Sequence, residues 1–392
     1  MIRKTLAGAA AVALTFTVAG CGDDAAPDDA VTSSLTCPSA TGGAVTLVVG
    51  ARGNTPQPDL PTEILDLVRV AAKSGRKIHV IRVDGQPSVA LAATFRSEEK
   101  NDARNARNLD NFVTQTLAVV QRLQPKVAEA DGLAALAEAG RVTPAGGTVV
   151  FIDSGLPTTG PLSFTNVAMF GAEPADVSAF LTAEELMPKL SDRAVVFVGV
   201  GNTADPQPEL NEKLRKRVTA IWHTVVKDAG ATCVEDLPTA SRRTAVDYPV
   251  PVSVVALPKP VQFGRCGTTV LADSDSVGFV VGTARLREPE EGRKVLRQLA
   301  DQLSTGGQRV LLVGVTSSEG RRARNEELSR QRAAAIKAEL VNLGIDAERI
   351  RTRGDGPGGR YFRNDRNRDG ALVPSAAARN RAVVVELTCP TS

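Results

Sequence analysis

Aromatic residues are scarce. Phe, Tyr and Trp together make up 4% of the 392 residues, with one Trp and two Tyr, so platforms for stacking nucleic-acid bases are nearly absent. Two histidines and five cysteines occur, and no two cysteines stand at two-residue spacing, which leaves little room for a zinc site. There is no P-loop and no Gly-x-Ser-x-Gly, and neither His79 nor His223 stands in a recognisable triad setting. Gly199-x-Gly201 lacks a third Gly and an immediate helix, so a nucleotide loop is not supported there. Beyond the first twenty residues no stretch offers about 18 consecutive apolar residues, the length of a membrane span. A formal charge of +3 predicts no special partner by itself. What is present is 42% hydrophobic residues, too many for a disordered chain, and 34 Gly without a period, which excludes collagen. At roughly 150 residues per domain the chain holds two or three domains.

Arg3 and Lys4 precede an uncharged, Ala-rich stretch from Thr5 to Gly20. This order reads as a secretory signal over residues 1–20, and it is short for a span. Val18-Ala19-Gly20-Cys21 resembles a bacterial lipobox. The resemblance implies cleavage before Cys21 and lipid on that residue; an ordinary signal peptide with an incidental Cys is the alternative. Residues 21–39, rich in Asp, Pro, Ser and Thr, read as a solvated tether. Export makes disulfides permissible. With Cys21 lipidated, Cys37, Cys233, Cys266 and Cys389 allow three pairings. Cys37–Cys233 and Cys266–Cys389 are favoured because each pair would bracket one domain.

Residues 40–240 alternate Val-rich strands with amphipathic helices. Strands are expected at Val45–Gly50, Ile78–Val83, Thr148–Asp153 and Ala194–Val200, their near-continuous apolar runs implying burial on both faces. Helices are expected over Pro61–Ser74 and after Pro208, the latter with Leu210, Leu214, Val218, Ile221, Trp222 and Val225 as a core stripe. The expected architecture is a doubly wound, Rossmann-like α/β layer. Val48-Val49-Gly50-Ala51-Arg52-Gly53-Asn54, Phe151-Ile152-Asp153-Ser154-Gly155 and Phe197-Val198-Gly199-Val200-Gly201 together resemble the von Willebrand factor type A-like domain. That family builds a metal site from Asp-x-Ser-x-Ser, and here the slots hold Gly50, Arg52 and Asn54. Because Arg52 would repel a cation, the domain is expected to be metal-free. Asp153 stands where the family has another metal-associated Asp, and a turn or cap role is expected for it.

Pro238, Pro249, Pro251, Pro258 and Pro260 punctuate residues 238–262, read as a linker over 241–262 with an entering strand expected at Val252–Leu257. Further elements are expected at Val277–Gly282 (strand), from Pro289 (helix), Arg309–Val315 (strand), Arg322–Asn342 (helix) and Arg381–Leu387 (strand). Together these make a small α+β (βαβαβ) sandwich over residues 263–392. Counted at about 100° per residue with Leu328 as the origin, Asn325, Arg332, Ile336, Leu340 and Leu343 of the long helix fall within about an 80° arc. Arg332 therefore sits on the buried stripe, where a charge is costly unless paired. Either it makes a structural ion pair with a carboxylate of the domain, or its guanidinium takes a ligand carboxylate in bidentate fashion.

Gly314-Val315-Thr316-Ser317-Ser318-Glu319-Gly320, followed by Asn325, Leu328-Ser329, Arg332-Ala333, Arg349-Ile350 and Asn380-Arg381, resembles the OmpA-like peptidoglycan-binding domain. The resemblance implies non-covalent capture of the diaminopimelate residue of the peptidoglycan stem peptide. It assigns the carboxylate to Arg332, the surrounding loop to Asn325 and Ser329, and the lining of the site to Arg381, and it counts Thr316 and Ser317 among the ligand-binding residues. The family has Asp where this chain has Ser317, so the acidic partner for the ligand's ammonium is missing; Glu319 or Asp355 are the candidate substitutes. Between Gly320 and Arg381, 15 Lys/Arg stand against 8 Asp/Glu. Such a surface suits anionic wall polymers or lipid headgroups outside the cell, and no nucleic acid. Asp365-Arg-Asn367-Arg-Asp369-Gly370 matches half of a calcium loop, but position 12 is Ala376, so an Asx-rich turn is favoured.

The resulting expectation is a non-enzymatic, lipid-anchored envelope protein on the wall-facing side of a membrane. It would bind peptidoglycan without cofactor or metal and would recruit a protein partner through its first domain. The competing expectation is an interaction scaffold whose wall pocket has degenerated.

Overall fold

A computed structural model describes residues 35–37, 43–58, 60–237, 239, 248, 250–274 and 277–390. The signal segment, Cys21 and most of the expected tether lie outside the described residues. Leu35–Ser392 forms one compact unit, in which two sheets organise two lobes.

The first lobe runs β1 (Val45–Gly50), α1 (Thr62–Lys73), β2 (Lys77–Val83), β3 (Ser88–Thr94), α2 (Asp102–Gln121), α3 (Gly132–Val142), β4 (Thr148–Ile152), α4 (Pro174–Ala183), β5 (Ala194–Val198), α5 (Glu212–Asp228) and β6 (Cys233–Leu237). Its strand order is β3-β2-β1-β4-β5-β6. Neighbours are parallel except β2 with β3. Every residue of β1, β4 and β5 is buried. Alternation still sorts them: Val45, Leu47 and Val49 join the core under α1 and α2, whereas Val48, Val149, Phe151 and Phe197 join the core under α3, α4 and α5. A sheet covered on both faces explains the unbroken apolar runs. Trp222 is fully buried, lies 5.1 Å from the Phe151 ring and donates from Nε1 to the Gly155 carbonyl at 2.8 Å. It is core, as its helical spacing implies.

The second lobe runs β7 (Gly267–Leu271), α6 (Pro289–Ser304), β8 (Arg309–Val315), α7 (Arg322–Asn342), β9 (Ile350–Gly356), α8 (Pro374–Asn380) and β10 (Ala382–Thr388). The sheet order is β7-β10-β8-β9, with β8 and β9 parallel and β10 antiparallel to both its neighbours. Leu296, Leu299 and Leu303 of α6 meet Ile336 and Leu340 of α7 over Leu312, Val383 and Val385. α7 crosses the sheet closely. A Cβ on Gly314 would stand 1.9 Å from the Ser329 carbonyl oxygen, and one on Gly354 would stand 2.5 Å from Ser329 Oγ.

Three expectations are corrected. Val277–Gly282 is not a strand: Phe279 makes only an isolated bridge with Leu286, and the sheet's edge strand is β7. Val252–Leu257 is neither strand nor free linker. Val255 is buried and exchanges hydrogen bonds with the Gln207 side chain at 2.8 and 2.9 Å, while the Ser253 carbonyl accepts from Asn54 at 3.0 Å. The prolines flanking this segment lack N–H donors, so side chains replace a ladder. Residues 35–37, assigned to the tether, are instead fixed to β6. The Thr36 and Cys37 amides donate to Glu235, and Cys37 is bridged to Cys233, with Cα atoms 5.7 Å apart. A second bridge joins Cys266 to Cys389, Cα atoms 5.6 Å apart.

The lobes meet through polar groups. Glu173, the N-cap of α4, pairs with Arg287; Asp176 of α4 pairs with Arg381; Lys213 of α5 reaches Glu288 at 2.9 Å. Asn166 donates to Ser375 Oγ at 2.9 Å, and Asn367 donates to Glu184 at 2.7 Å.

Candidate functional site

The loop after β8 and the first turns of α7 gather the residues singled out in the sequence. Thr316, Ser317, Asn325, Ser329, Arg332 and Arg381 are all buried. Asn325 Nδ2 donates to the carbonyls of Ser317 (3.3 Å) and Glu319 (2.6 Å), holding the loop against the helix. Ser329 Oγ donates to the Glu326 carbonyl at 2.7 Å and accepts the Gly356 amide at 3.0 Å, which ties α7 to the end of β9. Both act as loop-positioning groups. Thr316 Oγ1 is buried without a hydrogen-bond partner.

Arg332 is 1% exposed. Its Nε donates to the Thr283 carbonyl at 3.0 Å, its guanidinium carbon lies 4.9 Å from the Phe279 ring centre, and Nη1 has no hydrogen-bond partner. Desolvation lowers its pKa to about 10, opposed by Asp273 and aided by Arg381 and Arg287. Asp273 is equally buried: Oδ1 accepts the Phe279 amide at 3.1 Å, while Oδ2 has no hydrogen bond and lies 3.8 Å from Arg287. Burial pushes the Asp273 carboxyl above its ordinary range, against the pull of Arg287, Arg332 and Arg381.

Arg381, at the end of α8, pairs through Nη2 with Asp176 of the first lobe and stands 3.6 Å from Glu319; Nη1 has no hydrogen-bond partner. Burial would lower its pKa, but Asp176 holds it above the ordinary arginine value. The Glu319 carboxyl is pushed up by burial and by the neighbouring Asp176 charge. Asp365 is fully buried, with Oδ2 accepting the Ser318 amide (2.9 Å) and Asn380 Nδ2 (3.0 Å) and Oδ1 without a partner. The site thus presents two guanidinium nitrogens, a hydroxyl and two carboxylate oxygens without hydrogen-bond partners. Buried polar atoms in that condition call for a ligand or water.

The candidate acids divide. Both oxygens of Asp355 are taken by Arg353 at 2.7 and 3.0 Å, away from the cluster. Glu319 is at the cluster. Asp176, Glu173 and Asp273 went unrecognised in the sequence because nothing local marks them; only the folded chain brings them to Arg381, Arg287 and Arg332. The calcium pattern is an Asx turn: Asn367 Oδ1 accepts the amides of Asp369 (3.1 Å) and Ala371 (2.8 Å), and Asp365 is turned inward.

In the first lobe a cavity of about 260 Å³ opens at the C-terminal ends of β1, β4 and β5, lined among others by Gly50, Pro56, Pro61, Asp153, Ser154 and Asn202. Beside it Arg52 is bidentate to Asp153, at 2.7 and 3.1 Å, both side chains 2% exposed. These residues do not fit a metal ion, because a fixed cation already takes both oxygens of the one carboxylate present. Among the described residues no group of three or more His, Cys, Asp or Glu could hold a metal. Among them, too, no helix is long and apolar enough to cross a membrane.

Residues 278–371 match the OmpA family. This OmpA-like segment carries Phe279, Thr283, the Thr316–Arg332 constellation and Asp365. Over 98 residues the chain is 40% identical to Outer membrane protein A of Bordetella avium, covering 25% of this chain and 47% of that protein. It is 35% identical over 79 residues to the probable lipoprotein YiaD of Escherichia coli strain K12, covering 20% and 33%. The chain therefore spans less than half the length of either curated relative. Among solved structures, the peptidoglycan-associated lipoprotein from Burkholderia pseudomallei is 20% identical, with a TM-score of 0.24 over 29% of this chain and 88% of that one. Arg381, Asp273 and the whole first lobe lie outside the family match.

Proposed function

We propose that the protein is a non-enzymatic tether of the bacterial envelope that binds the peptidoglycan stem peptide through its OmpA-like segment. The observation that carries this reading is Arg332: a fully buried guanidinium, set on an aromatic ring, with one nitrogen that has no hydrogen-bond partner among the described residues. Burying such a group costs stability unless something of opposite charge arrives. The planar carboxylate of a stem-peptide amino acid fits it. Lipid on Cys21 would hold the other end to a membrane. The first lobe, with its strand order and its resemblance to type A-like domains, would recruit a protein partner. Arg366, whose Nε donates to Ser318 Oγ at 3.1 Å, adds attraction for an anionic wall.

Sedimentation of the purified chain with insoluble diaminopimelate-type peptidoglycan tests the reading. The wild type is expected to pellet saturably, and Arg332→Ala to stay in the supernatant with an unchanged circular dichroism spectrum. Ser317→Asp should tighten binding by about 10- to 150-fold, the value of one charge-assisted hydrogen bond to the ligand's ammonium. Equal pelleting of wild type and Arg332→Ala would sink the proposal and leave the scaffold reading, which the lack of an acid at Ser317 favours.

A further inference from the structure

We propose that α4 of the first lobe is a built-in competitor for the wall site, with the Asp176 carboxylate latched on Arg381, one of the two buried guanidiniums of that site. This rests on the wall-binding reading and adds its regulation. The N-cap and first turn of α4 present two carboxylates, Glu173 and Asp176, and each lands on a guanidinium of the second lobe, Arg287 and Arg381 respectively. Arg381 and Asp176 side chains are 5% and 10% exposed, so the pair is shut off from solvent by the contact that forms it. Around it the lobes close through Asn166 with Ser375 and Asn367 with Glu184, and Gly171 packs so tightly that a Cβ would stand 2.6 Å from the Ser274 amide nitrogen. The site behind is left with unmet hydrogen-bonding groups, Arg332 Nη1, Arg381 Nη1 and Asp365 Oδ1. The latch thus satisfies Arg381 only in part, and a ligand could do better.

The contacts that hold the latch are of a kind that opens. They include ion pairs and side-chain hydrogen bonds beside the close packing of Gly171 on Ser274, and the large apolar clusters lie within each lobe. A polar contact between lobes permits relative motion and weakens as salt screens it. When the binding-competent state is a minority, apparent affinity falls by its fraction, and removing the latch restores it.

The test is peptidoglycan sedimentation with the full chain, comparing wild type, Asp176→Asn and the double variant Glu173→Gln/Asp176→Asn, each checked for folding by thermal melting. Hydrogen exchange of the Thr316–Gly320 loop and of α8 reports lobe opening independently. The expected result is binding about tenfold tighter or more in Asp176→Asn, tighter still in the double variant, with faster exchange at both segments. Unchanged affinity with faster exchange overturns the competitor role while the wall reading stands. Weaker binding also overturns it, since Asp176 would then be part of the ligand site, standing in for the acid missing at Ser317. Absence of binding in wild type and variants alike, despite faster exchange, removes the wall reading on which the latch depends.

Discussion

Arg52 sits with a carboxylate beside the cavity of the first lobe. Its guanidinium spans both oxygens of Asp153, and the pair excludes water almost completely. Gly50 follows from the pair, since a Cβ there would stand 2.0 Å from Asp153 Oδ2. A buried ion pair gives little net stability over an apolar replacement, but breaking it strands a charge. Arg52→Ala should therefore cost about 3–5 kcal/mol in urea unfolding, whereas Arg52→Met combined with Asp153→Leu should cost much less. A loss under about 1 kcal/mol for Arg52→Ala would show that Asp153 finds another partner. Arg332 is the opposite case, a buried guanidinium whose pairing the protein leaves incomplete. On the wall-binding reading, that difference in carboxylate pairing, and not burial alone, separates the two arginines.

Among the elements, α7 does the most work: one edge packs Ile336 and Leu340 into the core, and its beginning frames the site. The close crossing at Gly314 sets its height above β8. Gly314→Ala should push the helix away from the sheet and destabilise the second lobe by about 1–3 kcal/mol, the ordinary cost of overpacking, read as a lower urea midpoint. An unchanged midpoint would mean that the helix shifts freely and does not fix the site. Elements with strong patterns were legible in the sequence: β1 and β8 are Val-rich runs, and α7 joins a long period-3.6 stripe to a glycine stop. β3 was not, because an edge strand of Ser88–Thr94 is Ala-rich and half exposed, with no apolar alternation to announce it. β7 is short, Thr-rich and mostly exposed for the same reason. Arg332 was legible as a buried candidate because a charge on an apolar stripe is itself a signal. Asp176 was not, because its meaning comes from a contact 205 residues away in sequence.

Across the whole molecule, the covalent bridges have a mechanical consequence. On the tether reading, tension enters before Cys37 and leaves through the wall site of the second lobe. The bridge from Cys37 to Cys233 routes that load past every strand and helix from β1 through α5. A second bridge, from Cys266 to Cys389, likewise shields the second lobe from end-to-end extension. Only the stretch between Cys233 and Cys266 is free to lengthen, and that stretch includes the segment stitched to Gln207 and Asn54 by single hydrogen bonds. Pulled by its ends in a force spectrometer, the oxidised protein should therefore give one short extension, and the reduced protein should add long unfolding steps from both lobes. Long steps in the oxidised protein would show that the bridges do not carry the load. Under strain such a chain behaves as two inextensible links joined by a short spring, and the spring lies where the lobes would part.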